Sequence, residues 1–133
     1  MASEISFSPS KEGVLSKAVL NTAKHLGLSH AELAKLLGTS EVSVSQLASS
    51  KRFLDPSGHE GERALVLVEL FLALHDLAGG DADTWATWMN THNQAIGDLP
   101  KHAIQTRSGL EHTQAYLNNL LARAAQGKAS RLQ

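Results

Sequence analysis

The sequence predicts an all-α fold, and three observations carry the prediction. Apolar residues recur at helical spacing through most of the chain, and glycine or proline stands where these runs begin or end. No stretch alternates apolar and polar residues as a half-buried strand does. The chain has 133 residues, of which 42% are hydrophobic and 19% charged. That composition predicts one folded domain or two very small ones.

The first two helices are predicted from their ends. Ser8-Pro9 can start the first helix, with proline at its first position, and Gly27 ends it. Ser29 and Glu32 have the spacing of a capping box, which indicates the start of the second helix. Gly38 ends that helix about two turns later.

Residues 30–49 have the internal spacing of a helix-turn-helix. Ala34 is small where the two helices cross, Gly38 takes the turn, and a third helix follows from Glu41 to Ser50. Its Val44 and Leu47 are expected to pack against Leu33 and Leu37. Residues 12–54 therefore resemble the Xre-type repressors.

The outer side of the third helix offers a weak set of groups for reading DNA. Phosphate neutralisation supplies most non-specific affinity, and cations are few here. Two interpretations stay open: a DNA-binding unit, or a packing and dimerisation module that has kept the shape. The expected DNA-binding residues are Ser40, Ser43, Gln46, Lys51 and Arg52.

Four further helices are predicted in the second half. Glu62 to Leu77 is apolar around most of its circumference, which predicts a buried helix at the centre or in a dimer interface. Because so small a domain hides that surface with difficulty, a homodimer is expected. Asp83 to Asn90 and one turn from Pro100 follow. A last helix runs from Gly109 to Gly127, with Ser108 and Glu111 in capping-box spacing.

Composition excludes several classes of protein. The chain has no cysteine, so it has no disulfide framework, thiol nucleophile or cysteine metal site, which fits a cytoplasmic location. Its seven histidines are never three or four residues apart, and no phosphate loop or nucleophile motif occurs. We therefore expect no catalysis, metal or cofactor. Three polar residues interrupt the longest apolar run, so no membrane span is expected.

Residues 88–109 carry a second pattern. A tryptophan ends a helix, an asparagine and an aliphatic-glycine pair follow in a loop, and a proline-started turn leads to the last helix. Trp88 can anchor the loop, Asn93 can hold a turn, and Gly97 permits an unusual backbone angle. An ordinary helix–loop–helix, with tryptophan and glycine used only for packing, is the alternative. The matching positions are Trp88-Met89, Asn93, Ile96-Gly97, Pro100, Thr106 and Gly109.

With the helix-turn-helix before it, this pattern resembles the Xre/MbcA/ParS antitoxin family over residues 12–127. Two departures stand out. His92 and Gln94 flank Asn93 where the family often has prolines, and the last helix is longer by about one turn.

The resemblance implies an antitoxin of a type II toxin–antitoxin system. Its partner is a RES-domain toxin that consumes NAD or uses it for ADP-ribosylation, and the antitoxin binds over the toxin's active site. The helix-turn-helix half dimerises, and in some members it binds operator DNA and represses the operon. The alternative is a stand-alone Xre-type DNA-binding transcriptional regulator.

In these terms the chain divides into five parts. They are a flexible N-terminus (1–10), an Xre-like helix-turn-helix domain (11–60), a connecting apolar helix (61–80), a small helical toxin-binding domain (81–127) and a C-terminal tail (128–133).

Charge and position select the expected toxin-binding residues. Residues 60–98 carry seven acids against Arg63 alone, whereas residues 99–133 carry five bases against Glu111. Arg131 is the best tail candidate, to imitate positive contacts or pair with toxin carboxylates. A solvated tail is the alternative. The full set is Asn90, Asn93, Gln114, Asn118, Arg123, Lys128 and Arg131.

Overall fold

The computed structural model describes residues 10–127, which form seven α-helices. The all-α prediction is confirmed, and within this range the only β-type pairing is an isolated bridge between Asn93 and Asp98. The predicted tail, with Lys128 and Arg131, lies outside the described residues, as does almost all of the predicted N-terminal segment. The helices are α1 (Lys11–Leu26), α2 (His30–Leu37), α3 (Glu41–Ala48), α4 (His59–Ala78), α5 (Ala82–Met89), α6 (Pro100–Ala103) and α7 (Arg107–Gly127).

Side-chain capping sets where the first two helices begin, and the predicted start of α1 needs one correction. The side chain of Ser10 accepts a hydrogen bond from the N–H of Gly13, so α1 begins at Lys11 and not at Ser8-Pro9. The capping box of α2 is confirmed. Ser29 Oγ accepts from the Glu32 N–H at 3.1 Å, and Glu32 Oε1 accepts from the Ser29 N–H at 2.8 Å.

The predicted start of the last helix is wrong. Thr106 Oγ1, and not Ser108, accepts from the N–H of Gly109 at 3.1 Å, and α7 begins at Arg107. Thr106 and Ser108 both carry a hydroxyl that could cap the helix. Because α6 ends shortly before Thr106, the chain turns there, and Thr106 takes the capping position. Similarly, α4 begins at His59, three residues before the predicted Glu62.

The first three helices form an N-terminal helix-turn-helix domain. Gly38 ends α2 with φ of 75°, which is the left-handed turn predicted for it. The predicted inner positions of the two helices are all buried: Leu33, Leu37, Val44 and Leu47.

The long α4 is the centre of the fold, as one reading of its apolar pattern predicted. It packs against α7, α1, α2 and α5. Its buried residues include Leu67, Leu70 and Leu74. Two of its leucines nevertheless stay open to solvent, Leu65 at 49% and Leu72 at 55% exposure. No helix in the described range is long and apolar enough to cross a membrane.

An aromatic cluster joins α1, α4 and α5. Phe71 stacks on His25 and meets Trp85 edge-on, with ring centroids 5.5 and 4.9 Å apart. Trp85 is buried, and its indole N–H donates to the carbonyl of Gly79 at 2.7 Å. Trp85 is therefore the more deeply buried of the two tryptophans of α5. Trp88, which was expected to anchor the loop, is only half-buried.

Candidate functional site

The outer side of α3 is a candidate surface for DNA. The helix buries only Val44 and Leu47, so most of its other side chains are exposed. Ser50 follows in a left-handed conformation with φ of 61°. The N–H of Lys51 then donates to the carbonyl of Gln46 at 2.8 Å, which fixes where the chain leaves α3.

The expected DNA-binding residues differ in how exposed they are and in whether other groups of the chain already bind them. Gln46 and Lys51 are exposed. Ser43 is half-buried, and Ser40 caps α3 by accepting from the Ser43 N–H at 3.1 Å. Arg52 is half-buried and donates to Glu60 Oε1 at 2.9 Å. Its guanidinium is therefore held by α4, through a pairing with a residue eight positions later that helix spacing does not reveal.

The loop between α5 and α6 is held together by Asn93. Its Oδ1 accepts from the N–H of Ala95 at 2.9 Å and of Ile96 at 3.1 Å. The N–H of Gly97 donates to the Asn93 carbonyl at 2.7 Å, with Gly97 at φ of 87°. The turn-holding roles predicted for Asn93 and Gly97 are confirmed. Because the Asn93 oxygen is used inside the loop, this residue shapes the surface that the loop presents.

Asp98 closes the loop onto α6, a role that the sequence analysis missed. Asp98 Oδ1 accepts from the Leu99 N–H at 2.7 Å, and Oδ2 lies 2.6 Å from His102 Nδ1. The hydrogen bond with His102, together with that from Leu99, lowers the pKa of Asp98. An aspartate two residues before a proline-started helix, with histidine four residues on, was the available signal.

The expected toxin-binding residues of α7 do not share one face. Gln114 Nε2 donates to Glu69 Oε1 at 2.8 Å, which places Gln114 at the edge of α7 beside α4. Asn118 lies one turn further along this edge. Arg123 follows Gln114 by nine residues, about 180° around the helix. Gln114 and Arg123 therefore lie on opposite sides of α7.

The opposite edge of α7 lies against the loop. His112 Nε2 is 3.3 Å from the carbonyl oxygen of Ala95. Arg123 follows His112 by three turns on this same side. Asn90, at the start of the loop, is exposed and donates to the Ala86 carbonyl at 2.8 Å. Arg123 and the loop thus belong to one side of the molecule.

An ion pair joins α6 to the first turn of α2. Lys101 Nζ of α6 lies 3.7 Å from Glu32 Oε1, the carboxylate that caps α2. Burial would raise the pKa of Glu32, but the hydrogen bonds from Ser29 and the charge of Lys101 outweigh it, and the pKa is lowered. Within residues 10–127, no group of three or more histidine, cysteine, aspartate or glutamate side chains could hold a metal ion.

Comparison with known proteins covers the first part of this structure. Residues 8–69, just under half of the chain, match the family model of the antitoxin Xre-like helix-turn-helix domain. The matched segment spans α1, α2, α3 and the first half of α4. A search of curated proteins finds no match. The similarity supports an antitoxin or an Xre-type DNA-binding regulator.

Proposed function

We propose that this protein is the antitoxin of a type II toxin–antitoxin system and that it neutralises a RES-domain toxin. The unit formed by α5, α6, α7 and their loop binds over the toxin's active site. The observation that carries the proposal is the order of parts. A helix-turn-helix of the antitoxin type, over residues 8–69, is followed by a loop built on Asn93 and Gly97 and packed on α7.

The geometry of the loop suits an inhibitor. Binding costs free energy when a flexible segment must be ordered, and a segment ordered beforehand avoids that cost. Asn93 and Asp98 fix both ends of this loop by side-chain hydrogen bonds before any partner arrives. Arg123 stands on the same side, exposed, and can form a bidentate pair with a carboxylate of the toxin.

Co-expression tests the proposal. The full chain would be produced with the product of the neighbouring gene, followed by size-exclusion chromatography and an assay of NAD consumption. We expect a stable complex in which NAD turnover is lost. If no complex forms and NAD turnover is unaffected, the antitoxin proposal fails and the regulator is the better account.

Two arginines of α7 provide a matched pair of variants. Arg123 lies on the loop side, whereas Arg107 lies nearer the α4 edge and pairs with Glu111 at 3.3 Å. Arg123→Ala is expected to weaken toxin inhibition and Arg107→Ala to leave it unchanged. Equal effects would show that the loop side of α7 has no special part in binding.

The C-terminal segment is tested separately. Deletion of residues 128–133 removes Lys128 and Arg131 and leaves α7 intact through Gly127. We expect reduced inhibition with an unchanged melting temperature. Full neutralisation by the shortened chain would eliminate a direct role for these residues.

Operator binding is a second candidate function, and the exposure of Gln46 and Lys51 on and after α3 favours it. We expect Gln46→Ala and Lys51→Ala to weaken a gel shift with DNA from upstream of the gene. Gln94→Ala, in the exposed loop, is the control. Removing a lysine that contacts phosphate also lowers the salt dependence of binding by about one ion. An unchanged shift would exclude this reading surface.

A further inference from the structure

One exposed stripe of α4, beside the edge of α7 that carries Gln114, has a regular pattern. Its five residues follow one another at alternating steps of three and four, and all five are exposed. That spacing is the one with which a helix meets a partner helix along a seam. The stripe extends over about 21 Å and consists of Glu62, Leu65, Glu69, Leu72 and Asp76.

The composition of the stripe alternates carboxylate and leucine. Leu65 is 49% and Leu72 55% exposed, which makes them two of the five large hydrophobic residues exposed in the described range. The surrounding segment is acidic, because residues 60–98 hold seven acids and a single base, Arg63. Arg63 lies about 160° around α4 from Leu65, away from the stripe.

A second copy of the chain is a poor occupant of this stripe. In a parallel pair of α4 helices the carboxylates of one copy would face those of the other, and like charges in contact are destabilising. In an antiparallel pair, the register that sets Leu65 against Leu72 of the second copy also brings Glu62 close to Asp76, which again places like charges in contact. In the other register each carboxylate would meet a leucine and lose hydration without gaining a partner. Charge therefore favours a different helix over self-association.

We propose that this stripe is a docking surface for a helix of another protein, with leucine-like residues and lysine or arginine alternating at the same spacing. The leucines of the two helices would pack against each other. The partner's cations would pair with Glu62, with Asp76 and with the oxygen of Glu69 that Gln114 does not use. This proposal does not depend on the toxin or on the operator.

Two synthetic helical peptides serve as probes for the full chain. Both carry a leucine at every seventh position. The position three or four residues after each leucine, which corresponds to a carboxylate of the stripe, is lysine in one peptide and glutamate in the other. Binding is measured by fluorescence anisotropy at several salt concentrations. We expect the lysine peptide to bind, with affinity that falls as salt rises, and the glutamate peptide not to bind.

The chain variants separate a built surface from general charge attraction. The double change Leu65→Ala and Leu72→Ala should weaken binding of the lysine peptide at least about tenfold, because both side chains lose burial. Val14→Ala and Val42→Ala, which also remove exposed apolar residues, should change nothing. Glu69→Gln should weaken binding, and Glu41→Gln should not.

Three results would overturn the proposal. The first is that neither peptide binds or both bind equally. The second is that the double leucine variant binds the lysine peptide as the unaltered chain does. The third is that sedimentation shows a dimer which the double leucine variant converts to a monomer, because the stripe would then be an interface between copies.

Discussion

A single methyl group at Gly61 should destabilise the protein, although the same change usually strengthens a helix. Gly61 is the third residue of α4 and is buried. A Cβ here would overlap the carbonyl oxygen of Asp55 and lie 2.8 Å from the carbonyl carbon of Asp55 and from Cα of Pro56. These are backbone atoms, so relief requires the segment before α4 to move.

The size of the effect follows from two opposing terms. Overpacking costs about 1–3 kcal/mol, and the upper end applies where backbone must move. Replacing glycine by alanine inside a helix returns about 1 kcal/mol. We therefore expect Gly61→Ala to lower the free energy of unfolding by about 2 kcal/mol. At about 4 °C per kcal/mol for a chain of this size, Tm falls by about 8 °C.

The chain offers its own control, because glycine is the third residue of α1, α4 and α7. A Cβ at Gly13 would meet only the hydroxyl of Ser10, at 3.2 Å, whereas at Gly109 it would overlap the carbonyl of Ala103. Thermal unfolding of the full chains, followed by circular dichroism, should show Gly109→Ala destabilised like Gly61→Ala. Gly13→Ala should be unchanged or stabilised by up to about 1 kcal/mol. Equal Tm values for the three variants would refute the reasoning.

Three further outcomes are expected. Ser50→Gly should raise the free energy of unfolding by about 0.5–1 kcal/mol in urea titrations, because Ser50 holds φ of 61°; a loss of stability would contradict this. Trp85→Phe should lower it by about 1 kcal/mol, since the Gly79 carbonyl loses its donor, and an unchanged midpoint would contradict this. Because the pKa of Glu32 is lowered in the fold, its contribution is present above the unfolded value and is lost as pH falls through the folded one. Glu32→Gln should therefore flatten the stability–pH curve below about pH 5, and an unchanged curve would show that neither the hydrogen bonds from Ser29 nor the pair with Lys101 stabilises the charged carboxylate.

Local chemistry made much of the fold predictable. The capping box of Ser29 and Glu32 involves residues three apart, so its hydrogen bonds form wherever the chain turns into a helix there. The left-handed turns at Gly38 and Gly97 also depend on one residue each. Asn93 reaches only two and three residues ahead. Short-range geometry of this kind can be predicted from spacing alone.

The candidate surfaces were less predictable because they depend on contacts between distant segments. Arg52 is eight residues from Glu60, and Gln114 is 45 residues from Glu69, so neither pairing leaves a local pattern. Both pairings decide which polar groups remain available to a partner. The choice of Thr106 over Ser108 as the cap of α7 likewise depends on how α6 meets α7.

Because α4 packs against helices from both halves of the chain, cleavage within α4 by a protease would affect the whole fold. Residues 8–69, which match the helix-turn-helix family, stop in the middle of α4. A fragment cut there lacks Leu70 and Leu74, which are fully buried. Each half completes the other's core, so a protease that opens one end also opens the other. Degradation would then remove the surface of α3 and the loop between α5 and α6 in one event.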